Sequence, residues 1–208
     1  MNKVKFGIAG YGKMGKIREE SILNSPDTKL ISIYEVSECR HNDKDIVQCN
    51  SFDELLATDI DAVIVSAYVS VAADYVIRAL NAGKHVFCEK PPSMTAKEMQ
   101  KVIETEKKMG RVLKYGFNHR FHYSAMEAKK IINNGSLGKM LWMRGVYGKA
   151  GSIDFHDNWR NYKNYSGGGI LLDQGIHMID LFRYFSNDEF TCLSSHLTSS
   201  FWNVECED

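Results

Sequence analysis

Short, nearly continuous apolar runs alternate along the first half of the chain with longer stretches in which apolar residues recur every three or four positions. "VKFGIAG" (4–10), "KLISIYE" (29–35), "IVQCN" (46–50), "DAVIVSA" (61–67), "KHVFCEK" (84–90) and "RVLKYGFN" (111–118) read as strands. "KMGKIREESILN", "AADYVIRALNAG" and the stretch that follows "PPSM" read as amphipathic helices. Ser51 to Glu54 and Thr95 to Glu98 have the spacing of capping boxes, and Gly83 and Gly110 sit where helices stop. Strands whose both faces are apolar, alternating with helices, predict a doubly wound parallel sheet with ligands outside the carboxyl ends of its strands.

The pattern changes near residue 119. "HYSAMEAKKIINNG" (122–135) predicts a helix, "KMLWMRGVYGKAG" (139–151) a strand, and "FTCLSSHLTSSFW" (190–202) a further β segment. Between them, "GGGILLDQGIHMIDLFRYF" (167–185) predicts a long helix after three glycines. The expected fold is therefore α/β, with a doubly wound parallel-sheet domain over 1–118 followed over 119–208 by the start of a second, incomplete α/β domain. Two strands are thin for an independent core, so the chain is expected to break off partway through that domain.

The turn in "KFGIAGYGKMGKIREE" (5–20) places Gly10, Gly12 and Gly15 between a strand and a helix. Glycine lets the backbone turn sharply and approach a bulky ligand, and the amides of a helix N-terminus, here opened by Lys13 and Met14, suit a pyrophosphate. Glu35 ends the next strand, where a carboxylate accepts hydrogen bonds from an adenosine ribose. The alternative is a glycine-rich turn in an ordinary α/β domain.

Composition narrows the picture. The 208 residues carry 26 Lys+Arg and 26 Asp+Glu, a formal net charge of zero, so no global basic field points to nucleic acid or an anionic membrane. No apolar run reaches the length of a membrane helix, and the N-terminus runs directly into a core strand with no visible signal peptide. The five cysteines, an odd number without framework spacing, read as reduced thiols in a cytoplasmic protein.

Three further stretches carry candidate chemistry. "CEKPP" (88–92) follows a strand, which puts Lys90 at the sheet's carboxyl edge; there it either donates to a substrate hydroxyl or is a solvated surface lysine. In "LLDQGIHMID" (171–180), Asp173 and His177 share one helix face, with Asp180 near it. That pair is either a proton acceptor with its carboxylate or a helix-stabilising contact around a core histidine. "GFNHRFH" (116–122) offers Asn118 and Arg120 as polar groups facing a substrate, and the segment 151–166, with Trp159, Arg160 and Tyr162, is the expected substrate contact. His119, His122 and His156 lack the spacing of a recognised ligand set, so no metal is expected.

Taken together, "GIAGYGKMG", "GKHVFCEKPPS", "GFNHRF" and "GGGILLDQGIHMIDL", in this order across nearly the whole chain, resemble the glucose–fructose oxidoreductase / inositol dehydrogenase (Gfo/Idh/MocA) family. The resemblance implies an NAD(P)-dependent oxidoreductase acting on a hydroxyl or carbonyl of a sugar, cyclitol or nucleotide sugar. It implies that 1–118 is a dinucleotide-binding Rossmann domain and 119–208 the start of the substrate and oligomerisation α/β domain, forming a homo-oligomer when full length. Lys90, with Glu89 beside it, matches the E-K-P motif, which contacts substrate and nicotinamide ribose. Asp173 and His177 match the D-x-x-x-H pair, whose histidine carries the proton. Glu35 favours NAD, because a carboxylate repels the 2′-phosphate of NADP, while Arg40 nearby leaves NADP open. Where members carry a Pro-Asn turn and then a His, this chain has Tyr68, Val69 and Ala72. A non-catalytic cofactor-binding regulator and an NAD-dependent glycosidase are the rival readings of the same fold.

Overall fold

A computed structural model of the protein describes residues 3–38, 41–148 and 158–208. The chain divides into two units, Met1–Gly116 and Phe117–Asp208.

In the first unit the chain runs β1 (Val4–Ala9), α1 (Lys13–Leu23), β2 (Thr28–Tyr34), β3 (Val47–Cys49), α2 (Phe52–Ala57), β4 (Ala62–Val65), α3 (Val69–Asn81), β5 (His85–Cys88), α4 (Ala96–Met109) and β6 (Leu113–Tyr115). The six strands form one sheet in the order β3-β2-β1-β4-β5-β6, and every neighbouring pair is parallel. The order reverses between β1 and β4, which opens a crevice at their carboxyl ends. Period-two alternation divides the core between two faces. Val63 and Val65 of β4 pack with Val76, Leu80 and Val102 on one side; Ile64 joins Ile8, Leu30, Ile33 and Ile22 of α1 on the other. Val63, Val76 and Leu80 are fully buried, each contributing roughly 1.5–3 kcal/mol relative to exposure.

Helix ends follow the sequence signals closely. Thr95 and Glu98 form the reciprocal capping box of α4, and Gly110 ends that helix in the left-handed region at φ 59°. Ser51 caps α2 by accepting from the Glu54 amide, but the Glu54 carboxylate accepts from the Asn50 amide, one residue earlier than the expected box requires.

All the regular secondary structure among the described residues of the second unit is helical. A 3₁₀ turn (Asn118–Phe121) leads into α5 (Tyr123–Asn133); a second (Trp159–Asn161) precedes α6 (Lys163–Ser166). A π-helical turn (Leu171–Gly175) then runs directly into α7 (Ile176–Ser186). The long helix after Gly167, Gly168 and Gly169 is thus present with one widened turn. The two strands expected over 139–151 and 190–202 are not formed among the described residues, and 149–151 lie outside them. Leu141, Trp142, Leu193 and Phe201 are instead exposed. A strand exists only in a ladder, and an alternating sequence does not supply its partner.

Candidate active site

The register of the sheet brings most of the first unit's candidates to one edge. Tyr34, Ala9, Val65, Cys88 and Tyr115 pair in one continuous row across five strands. The next residues of those strands are Glu35, Gly10, Ser66, Glu89 and Gly116. Four amides continue the ladder one step beyond it, each at 2.8 Å: Gly10 to the Tyr34 carbonyl, Ser66 to Ala9, Glu89 to Val65 and Gly116 to Cys88. The phosphate-type turn, the acidic residue after β2 and the Glu89–Lys90 turn therefore share the carboxyl edge.

Gly10 has φ 90°, and a Cβ on it would stand 2.5 Å from the Ser66 carbonyl carbon. A Cβ on Gly15 would stand 2.3 Å from the Gly10 carbonyl oxygen. These two glycines let β1, β4 and α1 close on one another. Gly12 differs: it is the N-cap of α1, no side chain caps that helix end, and nothing lies within 4 Å of where its Cβ would be. Lys13 and Met14 open the helix behind it, the first exposed and the second half-buried. Backbone donors at the positive end of an 11-residue helix, beside open space, fit the pyrophosphate of a dinucleotide.

Glu35 accepts from the Tyr11 amide at 2.6 Å and the Ser37 amide at 3.2 Å. The Tyr11 hydroxyl donates to Glu19, whose other oxygen lies 2.6 Å from His41 Nε2. Tyr11, Glu19 and His41 were not evident as site residues, yet they link the loop after β2 to α1 beside Glu35. Arg40 lies outside the described residues.

At the end of β5, Glu89 accepts from Arg18 Nε at 2.6 Å, and the guanidinium lies 4.9 Å from the centre of the Phe87 ring. Both charged side chains are mostly buried, at 21% and 13% exposed. A Cβ on Gly116 would approach the Glu89 carboxylate to 2.7 Å, so glycine there leaves room for it. Lys90 follows, half-buried, with a cis peptide bond to Pro91. Val69 and Ala72, where the resemblance would put polar residues, are core side chains of α3. Cys88 is fully buried, and burial pushes its thiol well up, which suits a packing residue rather than a nucleophile.

In the second unit, His177 is 3% exposed, on the first turn of α7. The His119 ring stacks on it at 3.8 Å between centroids and 23° between planes; Tyr147 stacks 5.7 Å from His119, and Phe117 meets His177 edge-on at 6.3 Å. Asp173, in the π turn, accepts from the Gln174 side chain at 2.8 Å, and Arg160 Nε stands 3.4 Å from the same carboxylate. The Arg160 guanidinium lies 4.3 Å from the Trp159 ring centre. Trp159, Arg160 and Asp173 are thus brought together.

Asn158, Arg160, Gly169 and Asp173 line a small cleft of about 80 Å³, joined there by Trp202 and Glu207, which sequence reasoning did not single out. Gly169 permits this: its Cβ would stand 1.9 Å from the Glu207 carbonyl oxygen, which accepts from the Ile170 amide at 3.1 Å. Arg120, which is not among the residues lining this cleft, forms a bidentate pair with Asp180, which lies at 7% side-chain exposure; that hydrogen bonding pushes the guanidinium pKa further up. Asn118 is exposed at the start of its turn. Among the described residues, no three His, Cys, Asp or Glu side chains gather as a metal site.

Sheet order, glycine turn and acidic strand end define a dinucleotide-binding α/β protein. Family comparison makes this specific: residues 4–117 match the oxidoreductase family with NAD-binding Rossmann fold, and 125–208 match the GFO/IDH/MocA C-terminal domain. The chain belongs to this family. It is 31% identical over 192 residues to the myo-inositol 2-dehydrogenase of Thermotoga maritima, covering 89% of this chain and 56% of that protein. With the D-glucoside 3-dehydrogenase of Escherichia coli it shares 35% identity over 130 residues, 62% of this chain and 37% of that one. The crystal structure of myo-inositol 2-dehydrogenase from Lactobacillus plantarum superimposes with a TM-score of 0.78 at 27% identity, over 89% of this chain and 57% of that structure. The chain spans about half the length of these inositol dehydrogenases.

Proposed function

We propose that the protein is an NAD-dependent dehydrogenase that interconverts a hydroxyl and a carbonyl on a cyclitol or sugar. The observation that carries this reading is the single row at the sheet edge, which joins the glycine cradle to Glu35 on one side and to Glu89 and Lys90 on the other. When bound, the nicotinamide ring supplies the hydride acceptor or donor. Gly12 and the first amides of α1 hold the pyrophosphate, and Glu35 accepts from the ribose hydroxyls, which favours NAD over NADP.

His177 takes the hydroxyl proton as the alcohol is oxidised and returns it in the reverse direction. Asp173, four residues earlier on the same helix, orients substrate and imidazole. The Lys90 ammonium donates to the substrate oxygen and stabilises negative charge developing there. Trp159 and Arg160 contact the polyol. The names of the similar proteins support cyclitols and glucosides as the first substrates to try. We extend the reading to a cytoplasmic homo-oligomer; the exposure of the large apolar side chains Leu141, Trp142, Leu193 and Phe201 supports association.

The test is NADH formation, followed at 340 nm, with NAD and a panel of inositols and glucosides. Turnover is expected with at least one member, and His177→Ala and Lys90→Ala should each lower kcat by roughly 10²-fold or more. Full turnover after His177→Ala would overturn the role of the imidazole. Absence of NADH binding by the unmodified protein would overturn the reading as a whole.

A further inference from the structure

We propose that His119 is a positioning residue for proton transfer: stacked on His177, it takes up a proton first and thereby keeps the buried imidazole a neutral acceptor. The catalytic meaning of this rests on reading His177 as the proton carrier; its physical core does not. The two rings are 3.8 Å apart at their centroids and 23° from parallel, close enough that charging one opposes charging the other. They differ in access to water. His177 is 3% exposed, whereas His119 is half-buried on the 3₁₀ turn Asn118–Phe121. Burial penalises the cation more at His177, so the shared proton settles on His119.

The stack is held from outside. Arg120, next in sequence to His119, is clamped by Asp180, three residues after His177 on α7, and its guanidinium also lies 5.3 Å from the Tyr184 ring centre. Turn and helix are therefore tied beside the two imidazoles. Other groups lie near them. The exposed His122 stands 4.8 Å from His119, Tyr147 lies 5.7 Å from His119 and 6.4 Å from His177, and Phe117 contributes only a ring edge. Asp173, the carboxylate that would favour an imidazolium at His177, has the Arg160 guanidinium 3.4 Å away to offset its charge. Asp180 is neutralised by Arg120, and Arg183, further along α7, is paired with Glu189. A second imidazole is thus a titrating group in direct ring contact with His177.

The experiment is a histidine titration by NMR on the full chain labelled with ¹⁵N-histidine, between about pH 5 and pH 9. The His177 resonances are identified by their loss in His177→Gln. In the unmodified protein, His177 should depart from a single-proton curve and stay neutral to low pH. His119→Phe keeps a stacked ring and removes the charge. In it, His177 should titrate in one step, with its midpoint raised by about one pH unit, a tenfold gain in proton affinity or about 1.4 kcal/mol. His119→Gln provides a second uncharged variant should the first fold poorly.

In the pH profile of kcat the acidic limb should move upward by the same amount, because the base form of His177 is then lost at higher pH. Superimposable His177 curves in the unmodified protein and either folded variant would overturn the proposal. A shifted titration in a protein without turnover would uphold the coupling and defeat only the dehydrogenase reading.

Discussion

Gly10 and Gly12 stand two residues apart in the same turn, but the space around them differs. Gly10 is at φ 90° with its missing Cβ facing the Ser66 backbone at 2.5 Å. Gly12 is at φ −73°, which any residue adopts, and its missing Cβ faces open space. Gly10→Ala should therefore cost about 3 kcal/mol from backbone conformation and overpacking together, and lower the melting temperature by several degrees. Gly12→Ala should leave the melting temperature within about a degree and still weaken NADH binding at least tenfold, because its methyl occupies the place proposed for a phosphate. Thermal melts and NADH fluorescence titrations on both variants check this. Equal behaviour of the two would remove the argument for a phosphate cradle. Spacing in the sequence placed all three glycines at the turn, since strand, turn and helix are adjacent there. It did not separate the two that pack from the one that faces space: Gly10 packs against Ser66, which β4 brings in from more than fifty residues away, and Gly15 packs against the Gly10 carbonyl.

At the scale of elements, α1 and the turn after β5 are joined by Arg18 and Glu89, 71 residues apart in sequence. The helix that opens at the glycine turn thereby holds the residue that precedes Lys90. Removing the arginine leaves a mostly buried carboxylate without its cation, which costs more than the net worth of the pair. Arg18→Ala should destabilise the protein by about 3 kcal/mol in urea melts, and adding Glu89→Gln should recover part of that loss, because the uncompensated charge is gone. Strictly additive losses would show that the two side chains do not act as a pair. Nothing local in "KIREES" marks Arg18 as different from its exposed neighbours, so the contact was not legible in sequence. Strands and helices of the first unit were legible, because each carries its own periodicity and caps: Thr95 with Glu98, Gly83, Gly110. The strands expected over 139–151 and 190–202 were misread for the converse reason. Alternation in "KMLWMRGVYGKAG" describes a surface suited to a ladder, but the ladder depends on a partner elsewhere in the chain.

For the molecule as a whole, the two units differ in how much apolar surface they remove from water. Nearly all buried apolar side chains belong to Met1–Gly116, where both faces of a six-stranded sheet are covered; among described residues, Phe117–Asp208 contributes only Ala125 and Cys206 to that class. The other buried side chains among its described residues are polar: Asn161, Ser166, His177 and Asp180 make hydrogen bonds, ion pairs or ring contacts. Stability scales with buried apolar area, so the second unit should open at lower denaturant than the first. Native thiols report this directly. Cys49 and Cys88 are buried in the first unit and Cys206 in the second, while Cys192 is exposed. Burial pushes the Cys49 thiol up to about 11, so at pH 8 it is protonated and slow to alkylate until the unit opens.

With iodoacetamide at pH 8 and rising urea, read by peptide mass spectrometry, Cys192 should react without urea. Cys206 should become reactive next, and Cys49 and Cys88 together last, separated from Cys206 by about 1 M urea or more. Simultaneous exposure of Cys206, Cys49 and Cys88 would mean that the polar interior around His177 is as stable as the sheet. In that case the imidazole stack would be held by the cooperativity of the whole chain rather than by the Arg120–Asp180 clamp.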